Sequence, residues 1–248
     1  MNTILRIIEV SKRFGGLLAV DRASVDFYQG DAIGIVGDNG AGKSTLIKMI
    51  SGVYEPSEGQ ILFNDKLISG LTPAAIRNLG IETIYQELSL ADNLSAYFNI
   101  FMGREKTRKL LGLINVLDEK YMEEESKKVL SRLNINIPSL KTDVAFLSGG
   151  QRQAVAIGRT IYWNAELLIM DEPTAALGVE ESDNVRSIIR KLKEDGVTVI
   201  IISHNINEIY DIADRFMVLK NGRIVSVKKK DETCVDAIIS MIVSGKEI

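Results

Sequence analysis

The 248-residue sequence has one cysteine, one histidine, four prolines and no long apolar run. Cys234 cannot form an internal disulfide, so nothing in the sequence requires an oxidising compartment. The strongly apolar residues 197–202 fall far short of the ~20 that a membrane-spanning helix needs. Residues 1–14 have charges at positions 6, 9, 12 and 13 and no sustained apolar core, so they do not resemble a secretory signal. We therefore expect a cytoplasmic protein that reaches a membrane only through a partner.

The charge balance excludes a general attraction to polyanions. Lysine and arginine total 30 and aspartate and glutamate total 33, which gives a formal net charge of −3. Binding of nucleic acid or of an anionic lipid surface would need a local basic patch. With 46% hydrophobic residues, the chain can bury the core of one large domain or of two small ones.

Apolar patterns predict an α/β fold. Three β-type segments predict a small antiparallel layer: residues 5–10, 23–27 and 60–65. Four more uniformly apolar runs are typical of strands buried on both faces of a parallel sheet: residues 32–37, 81–86, 166–172 and 197–204. Helical patterns alternate with these runs, as an α/β fold requires: residues 43–51, 149–162 and 179–194.

Two further segments complete the outline. Residues from about 88 to 160 are rich in leucine, lysine and glutamate without a strand-like run. We expect a helical lobe there, inserted into the α/β core, with an amphipathic surface helix over residues 118–133. Residues 216–227 pair two β-type runs around Asn221 and Gly222, which predicts a hairpin.

The sequence "GDNGAGKST" at residues 37–45 contains the pattern G-x-x-x-x-G-K-S between a buried strand and a helical run. Glycines let backbone N–H groups close around anionic oxygens, and the following helix points its positive end at them. This context predicts a phosphate-binding loop in which Lys43 contacts the β and γ phosphates and Ser44 helps to ligate Mg²⁺.

Polar side chains end the other predicted parallel strands, at the sheet edge where open α/β sheets bind ligands. Asp171 and Glu172 close one strand, and two carboxylates there suit Mg²⁺ binding and the activation of a water. Gln86 ends another strand, where it can ligate Mg²⁺ or sense the γ phosphate. His204 ends a third, and a functional role is weighed there against an ordinary structural one.

The sequence "LSGGQ" at residues 147–151 begins a predicted helix. Ser148 and Gln151 have the spacing of a capping box, which is the structural interpretation. Gly149 and Gly150 also leave backbone N–H groups uncovered for an anion. One γ phosphate can then be held by two loops if two copies meet around a two-fold axis.

These motifs, with "YQE", "LLIMDEP" and "SH", follow the order found in ATP-binding cassette ATPases, and nearly the whole chain resembles one such domain. The resemblance implies an α/β P-loop NTPase core with a mostly parallel sheet, an antiparallel β layer and an inserted helical lobe. It implies a single nucleotide-binding domain over residues 1–248. It further implies a sandwich dimer that binds two ATP molecules and is coupled to a membrane permease.

The resemblance also implies residue roles. Glu172 is expected to be the general base, Gln86 the Mg²⁺ and water sensor, and His204 the γ-phosphate switch. Phe14 matches the aromatic residue that stacks on adenine, although core packing is an alternative, and Val20 is a weaker candidate nearby. The Mg²⁺ ligands implied are Ser44, Gln86 and Asp171. The nucleotide-binding residues implied are Phe14, Val20, Gly37, Asn39, Gly40, Gly42, Lys43, Ser44, Thr45, Ser148, Gly149, Gly150 and Gln151.

One segment departs from the family pattern. After "DEPT" the family usually has Ser-Ala-Leu-Asp, whereas this chain has Ala-Ala-Leu-Gly at residues 175–178. The missing aspartate puts communication between the two active sites in doubt. "DEPTAALG" and "YQELSLADNLS" resemble the monosaccharide importer branch, whose members often fuse two cassettes. We therefore expect a homodimer or half of a longer protein, on the inner face of the cell membrane, with a permease and indirectly a sugar-binding protein as partners.

The sequence is compatible with other interpretations. Tyr97, Phe98 and Phe101 are candidates for docking a permease helix, with burial in the helical lobe as the favoured alternative. A cassette ATPase that acts on nucleic acid or the ribosome is disfavoured by the acidic charge balance, and no nucleic-acid partner is expected. An importer ATPase for a solute other than sugar is a further alternative. A non-hydrolysing regulatory subunit is suggested only by Gly178.

Overall fold

The computed structural model describes residues 2–110, 112–133, 135, 137–175 and 177–247. The strands are β1 (Thr3–Phe14), β2 (Leu17–Tyr28), β3 (Ala32–Val36), β4 (Glu58–Phe63), β5 (Lys66–Leu67), β6 (Ile81–Ile84), β7 (Thr107–Leu110), β8 (Ile114–Leu117), β9 (Leu167–Asp171), β10 (Thr198–Ile202), β11 (Arg215–Lys220) and β12 (Arg223–Lys229). The helices are α1 (Lys43–Ile50), α2 (Pro73–Asn78), α3 (Ala96–Phe101), α4 (Glu119–Arg132), α5 (Gly149–Tyr162), α6 (Val179–Glu194), α7 (Ile206–Ile212) and α8 (Val235–Ser244).

The chain divides into two compact units. The first unit comprises Met1–Thr83, Glu166–Pro173 and Leu192–Ile248, and the second comprises Ile84–Ala165 and Thr174–Lys191. The single domain predicted over residues 1–248, with a lobe at about 88–160, remains a prediction about how these units function together.

The first unit contains a sheet in the order β12-β11-β3-β10-β9-β6. Strands β11, β3, β10 and β9 run parallel, and Ile200 of β10 pairs with Ile33 on one side and Ile169 on the other. Every residue of β3 and β10 is buried. This burial explains the continuous apolar runs, because both faces of a central parallel strand are covered.

A second sheet of the first unit is antiparallel, in the order β2-β1-β4-β5. Ile7 of β1 pairs with Val25 of β2 and with Ile61 of β4. The predicted antiparallel layer is therefore confirmed. The predicted hairpin near the end of the chain is β11–β12, and its turn residues Asn221 and Gly222 have φ values of 49° and 79°. Two consecutive positive φ values are what an Asn-Gly hairpin turn provides.

The second unit packs α3, α4 and α5 around an apolar cluster. Tyr97 and Phe101 lie in this cluster with 6% and 0% of their surface exposed, and Phe98 packs against it while partly buried. The docking hypothesis is therefore wrong for Tyr97 and Phe101, because buried rings cannot offer a contact surface. Their burial in the helical unit, the favoured alternative, is confirmed.

The segment predicted to lack strands does contain a hairpin, formed by β7 and β8. Each strand has four residues, which is too short for a period-2 pattern to stand out from leucine-rich helical sequence. The helix predictions were more accurate: α5 and α6 have the predicted bounds, and α1 and α4 agree within one residue at each end. Within the described residues, none of the helices has the length and apolarity required to cross a membrane.

Candidate functional site

The phosphate-loop sequence connects β3 to α1 in the first unit and depends on glycine conformations. Gly37, Gly40 and Gly42 have φ values of 154°, 78° and 103°. A Cβ atom on Gly37 would lie 2.2 Å from the Leu219 carbonyl oxygen, and one on Gly42 would lie 2.5 Å from the Ala19 oxygen. Backbone approaches this close explain two of the three glycines, because any larger residue would collide.

Lys43 begins α1 and its side chain folds back over the loop. Its Nζ donates hydrogen bonds to the Gly37 oxygen at 2.7 Å and to the Asp38 oxygen at 3.0 Å. Burial lowers the pKa of Lys43, and the negative charges of Glu172, Asp171 and Asp38 oppose that shift. The loop cation is thus mostly buried and lies close enough to both carboxylates predicted at the end of β9 to interact with their charges.

Those two carboxylates differ in environment. Burial raises the pKa of Asp171 and the charge of Glu172 adds to the shift, while Lys43 and Lys48 lower it. Glu172 follows β9 with a φ of 53° and donates its N–H to the Ile202 oxygen at 2.8 Å. A non-glycine residue with positive φ is strained and needs support from its surroundings.

His204, in the loop after β10, contacts the side chain of Glu172. Its backbone N–H donates to Glu172 Oε1 at 3.0 Å, and its Nδ1 lies 2.9 Å from Oε2. The Glu172 side chain is 15% exposed and the His204 side chain is 72% exposed. Both oxygens of a nearly buried carboxylate are therefore oriented by one histidine whose ring remains largely open to solvent.

The other predicted site residues of the first unit differ in how exposed they are. Asn39, Gly40 and Ser44 are exposed around the loop, and Thr45 is half-buried. Phe14 ends β1 with 40% of its surface exposed, edge-on to Tyr54 at 5.1 Å between ring centroids. Val20 is 0% exposed and belongs to the apolar core. Burial favours a packing role for Val20, whereas Phe14 is partly exposed and has the Lys12 ammonium 5.3 Å from its ring centroid.

The second unit contains the other predicted residues. Gln86 is exposed, two residues after β6. At the start of α5, Ser148 Oγ accepts from the Gln151 N–H at 3.3 Å while Gln151 Oε1 accepts from the Ser148 N–H at 3.0 Å. The capping box predicted for "LSGGQ" is confirmed. Gln86 and this turn belong to a different unit from Lys43 and Glu172, and their predicted roles in the site remain predictions.

One residue absent from the predicted site contacts the "LSGGQ" turn. Glu181 Oε1 accepts from the Gly150 N–H at 3.2 Å, and Oε2 accepts from the Gly178 N–H at 3.3 Å. The hydrogen bond from Gly150 lowers the pKa of Glu181, and hydrogen bonds from Ser148 and Gly178 add to that shift. The available sequence signal was a glutamate three residues after Gly178, at the position where helix-capping glutamates reach back.

Comparison with known proteins decides the family. The family model described as ABC transporter matches residues 20–175, which is more than half of the chain. The chain belongs to the ABC transporter family. Its α/β cassette fold and the class of ABC ATPase predicted from the sequence are confirmed.

Sugar import proteins are among the similar relatives of this cassette. The xylose/arabinose import ATP-binding protein XylG of Sulfolobus acidocaldarius is 47% identical over 98% of the chain and 95% of the relative. The fructose import ATP-binding protein FrcA of Rhizobium meliloti is 42% identical over 93% of the chain and 90% of the relative. The ribose import ATP-binding protein RbsA of Clostridium tetani is 40% identical over 98% of the chain, which spans 47% of that relative's length.

Solved structures agree with the family assignment. A nucleotide-free ATP-binding cassette from an ABC transporter aligns with a TM-score of 0.81 at 28% identity, over 98% of this cassette and 96% of that one. A cassette in its ADP conformation aligns with a TM-score of 0.82 at 27% identity, with the same coverage.

Proposed function

We propose that the cassette hydrolyses MgATP within a sandwich of two cassettes and thereby powers the import of a monosaccharide through a partner permease. The observation that carries the hydrolytic part is the orientation of Glu172 by His204, beside Asp171 and facing Lys43. The relatives named for xylose, fructose and ribose import support the choice of solute.

Nucleotide binding rests on the loop after β3. The positive φ values of Gly40 and Gly42 suit a loop whose backbone N–H groups close around phosphate oxygens, with α1 directing its positive end toward them. Lys43 transfers its hydrogen bonds from loop carbonyls to the β and γ phosphates, and Thr45 adds a hydroxyl. The partly exposed ring of Phe14 stacks on adenine in this proposal, and the Lys12 ammonium now over the ring moves aside.

The donors near the loop fit Mg²⁺. Asp171 contributes a half-buried carboxylate whose raised pKa reflects burial and the neighbouring charge of Glu172, an environment that a cation relieves. Ser44 contributes an exposed hydroxyl, and hard oxygen ligands are those Mg²⁺ prefers. The Gln86 amide oxygen, which the family resemblance assigns to the same ion, is exposed in the second unit. When bound, the ion neutralises charge on the transferred phosphoryl group.

Hydrolysis requires a base that is held in one orientation. Glu172 takes a proton from the attacking water, and the two contacts from His204 fix the carboxylate for that transfer. Because the His204 ring is largely exposed, its other nitrogen remains available to a γ phosphate. His204 thereby couples the position of the base to the presence of ATP.

The second half of the site comes from a second cassette. The "LSGGQ" turn (residues 147–151) presents the Ser148 hydroxyl and the Gly150 N–H at the start of α5, and an N-terminal helix turn favours a phosphate. Two copies related by a two-fold axis complete two equivalent sites. Gly178 stands where cassettes of this family usually have an aspartate that helps the two active sites to communicate. We therefore expect weak coupling between the two hydrolysis events.

The family and its sugar-importing relatives support a proposal for the membrane location and the partners of the cassette. The cassettes sit on the cytoplasmic face of the membrane against permease subunits, and a sugar-binding protein outside the membrane delivers the solute. Sugar selectivity resides in those partners.

A direct experiment measures ATP turnover by the purified chain and by its Glu172→Gln variant. The variant keeps the shape of the side chain but removes the base, so we expect ATP binding with turnover lowered ~10²–10⁴-fold. Turnover by the variant within a few-fold of the parent would refute the base assignment. Inactive parent protein, alone and with its permease, would instead favour a regulatory subunit.

A further inference from the structure

A single carboxylate bridges two segments of the second unit. Glu181 in the first turn of α6 accepts from the Gly150 N–H at 3.2 Å and from the Gly178 N–H at 3.3 Å. The nearby Ser148 side chain helps to lower the pKa of this carboxyl. These contacts tie the "LSGGQ" turn to the start of α6 within one chain.

The donors that Glu181 engages are those a phosphate would need. In the proposed sandwich, the Ser148 hydroxyl and the Gly150 N–H bind the γ phosphate carried by the partner cassette. A hydrogen of an N–H group forms one strong hydrogen bond, so the carboxylate and the phosphate compete for it. The negative charges of the carboxylate and the phosphate would also repel each other if both approached the same N–H group.

Packing shows that the contact is built into the turn. A Cβ atom on Gly150 would lie 3.1 Å from Glu181 Cγ and 3.2 Å from Glu181 Cβ, so the glutamate stem lies directly against the glycine. The hydrogen bond from Gly150 also lowers the pKa of Glu181, which keeps the carboxylate ionised at neutral pH. A charged group that mimics the proposed anion thus lies against Gly150 of the turn, while Ser148 and Gly149 remain exposed.

We propose that Glu181 is an intramolecular competitor that occupies the "LSGGQ" turn until the γ phosphate of a partner cassette displaces it. The inference rests on the proposed sandwich. When two cassettes close, Glu181 keeps its bond to Gly178 and releases the Gly150 N–H to the incoming phosphate. Glu181 is a positioning residue in this scheme, and it raises the ATP concentration that closure requires.

The test measures ATP-dependent dimerisation in the Glu172→Gln background, where ATP persists, by light scattering at increasing MgATP. Adding Glu181→Gln removes the competing charge, and we expect the ATP concentration for half-maximal dimer to fall ~10-fold, the factor of one charge-assisted hydrogen bond. The matched control is Glu180→Gln, which removes an exposed charge from the same helix turn. It should leave the ATP requirement unchanged.

A second readout separates competition from a structural role. Without nucleotide, Glu181→Gln should lower the thermal unfolding midpoint slightly, because it weakens a bridge within the monomer. A residue that merely stabilised the turn would lower the midpoint and raise the ATP requirement together. An unchanged or raised ATP requirement therefore overturns the inference.

A second variant and the behaviour of the Glu172→Gln parent provide two further tests. If Glu181→Gln does not fold, Glu181→Asp keeps the charge on a shorter stem that cannot span both amides, and it should also lower the ATP requirement. No change with that variant would overturn the inference. Failure of the Glu172→Gln parent to dimerise at any ATP concentration would instead refute the proposed sandwich, and the inference with it.

Discussion

His204 holds both carboxylate oxygens of Glu172, one through its backbone N–H and the other through its ring Nδ1. Replacing the ring removes one of these contacts and leaves the other, because the backbone N–H is present in every non-proline residue. The pair therefore allows the orientation of the base to be perturbed while the base itself stays in place.

We expect His204→Ala to lower kcat ~10–10²-fold with little change in the KM for ATP, since Glu172 keeps its chemistry but loses one constraint. Steady-state turnover at varied MgATP measures both constants. A nucleotide-binding assay serves as the control, because ATP affinity should stay within a few-fold of the parent. Turnover equal to the parent would show that the ring contact does not position the base.

Gly37 and Gly40 form a matched pair in the phosphate loop. Both have positive φ, but a Cβ atom on Gly37 would collide with the Leu219 oxygen whereas one on Gly40 meets nothing within 4 Å. We expect Gly40→Ala to cost ~1 kcal/mol of unfolding free energy and Gly37→Ala at least ~2 kcal/mol more. Denaturant unfolding without nucleotide measures both. Equal costs would mean that conformational strain alone, and not the backbone approach, selects glycine.

Phe101 and Phe98 distinguish packing from surface roles in the second unit. Phe101 is fully buried in the apolar cluster, so Phe101→Ala should cost ~3–5 kcal/mol of unfolding free energy. Phe98 is only partly buried, and Phe98→Ala should cost clearly less. If the less destabilised Phe98→Ala variant nevertheless loses transport while its basal ATPase persists, Phe98 contacts the permease. Matching losses of stability and transport would exclude that contact.

The Glu181 bridge should respond to acid in a defined direction. Its pKa in the folded chain lies below the ordinary value of 4.5, chiefly through the hydrogen bond from Gly150. The bridge therefore stabilises the folded chain above about pH 4.5, and this contribution is lost as the pH falls through the lowered pKa. The difference in unfolding midpoint between the parent and Glu181→Gln should be constant near neutral pH and shrink in acid. A difference that grew with acidity would contradict the ionised bridge.

Much of the fold was predictable because local patterns and global burial agree. The runs that form β3 and β10 are apolar throughout, because both faces of each strand are covered. The Asn221–Gly222 pair predicts the turn of the β11–β12 hairpin. The short β7–β8 hairpin was not predictable, because its pattern is no stronger than that of the helices around it. Burial of Tyr97 and Phe101 also depends on which face of α3 meets α5, which spacing alone does not decide.

The site was predictable where chemistry is carried by consecutive residues. The loop over residues 37–45 and the pair Asp171 and Glu172 can be recognised from the sequence, because the residues of each motif are consecutive. The Glu181 contact was missed because Gly150 and Glu181 are thirty-one positions apart and nothing local links them. The orientation of Glu172 by His204 likewise depends on the adjacency of β9 and β10 in the sheet.

The ammonium of Lys43 rests on two carbonyls of its own loop. An arriving triphosphate therefore meets a side chain whose rotamers were already restricted when the chain folded, and it exchanges one set of oxygens for another. Nucleotide binding at this loop should accordingly cost little further side-chain entropy at Lys43.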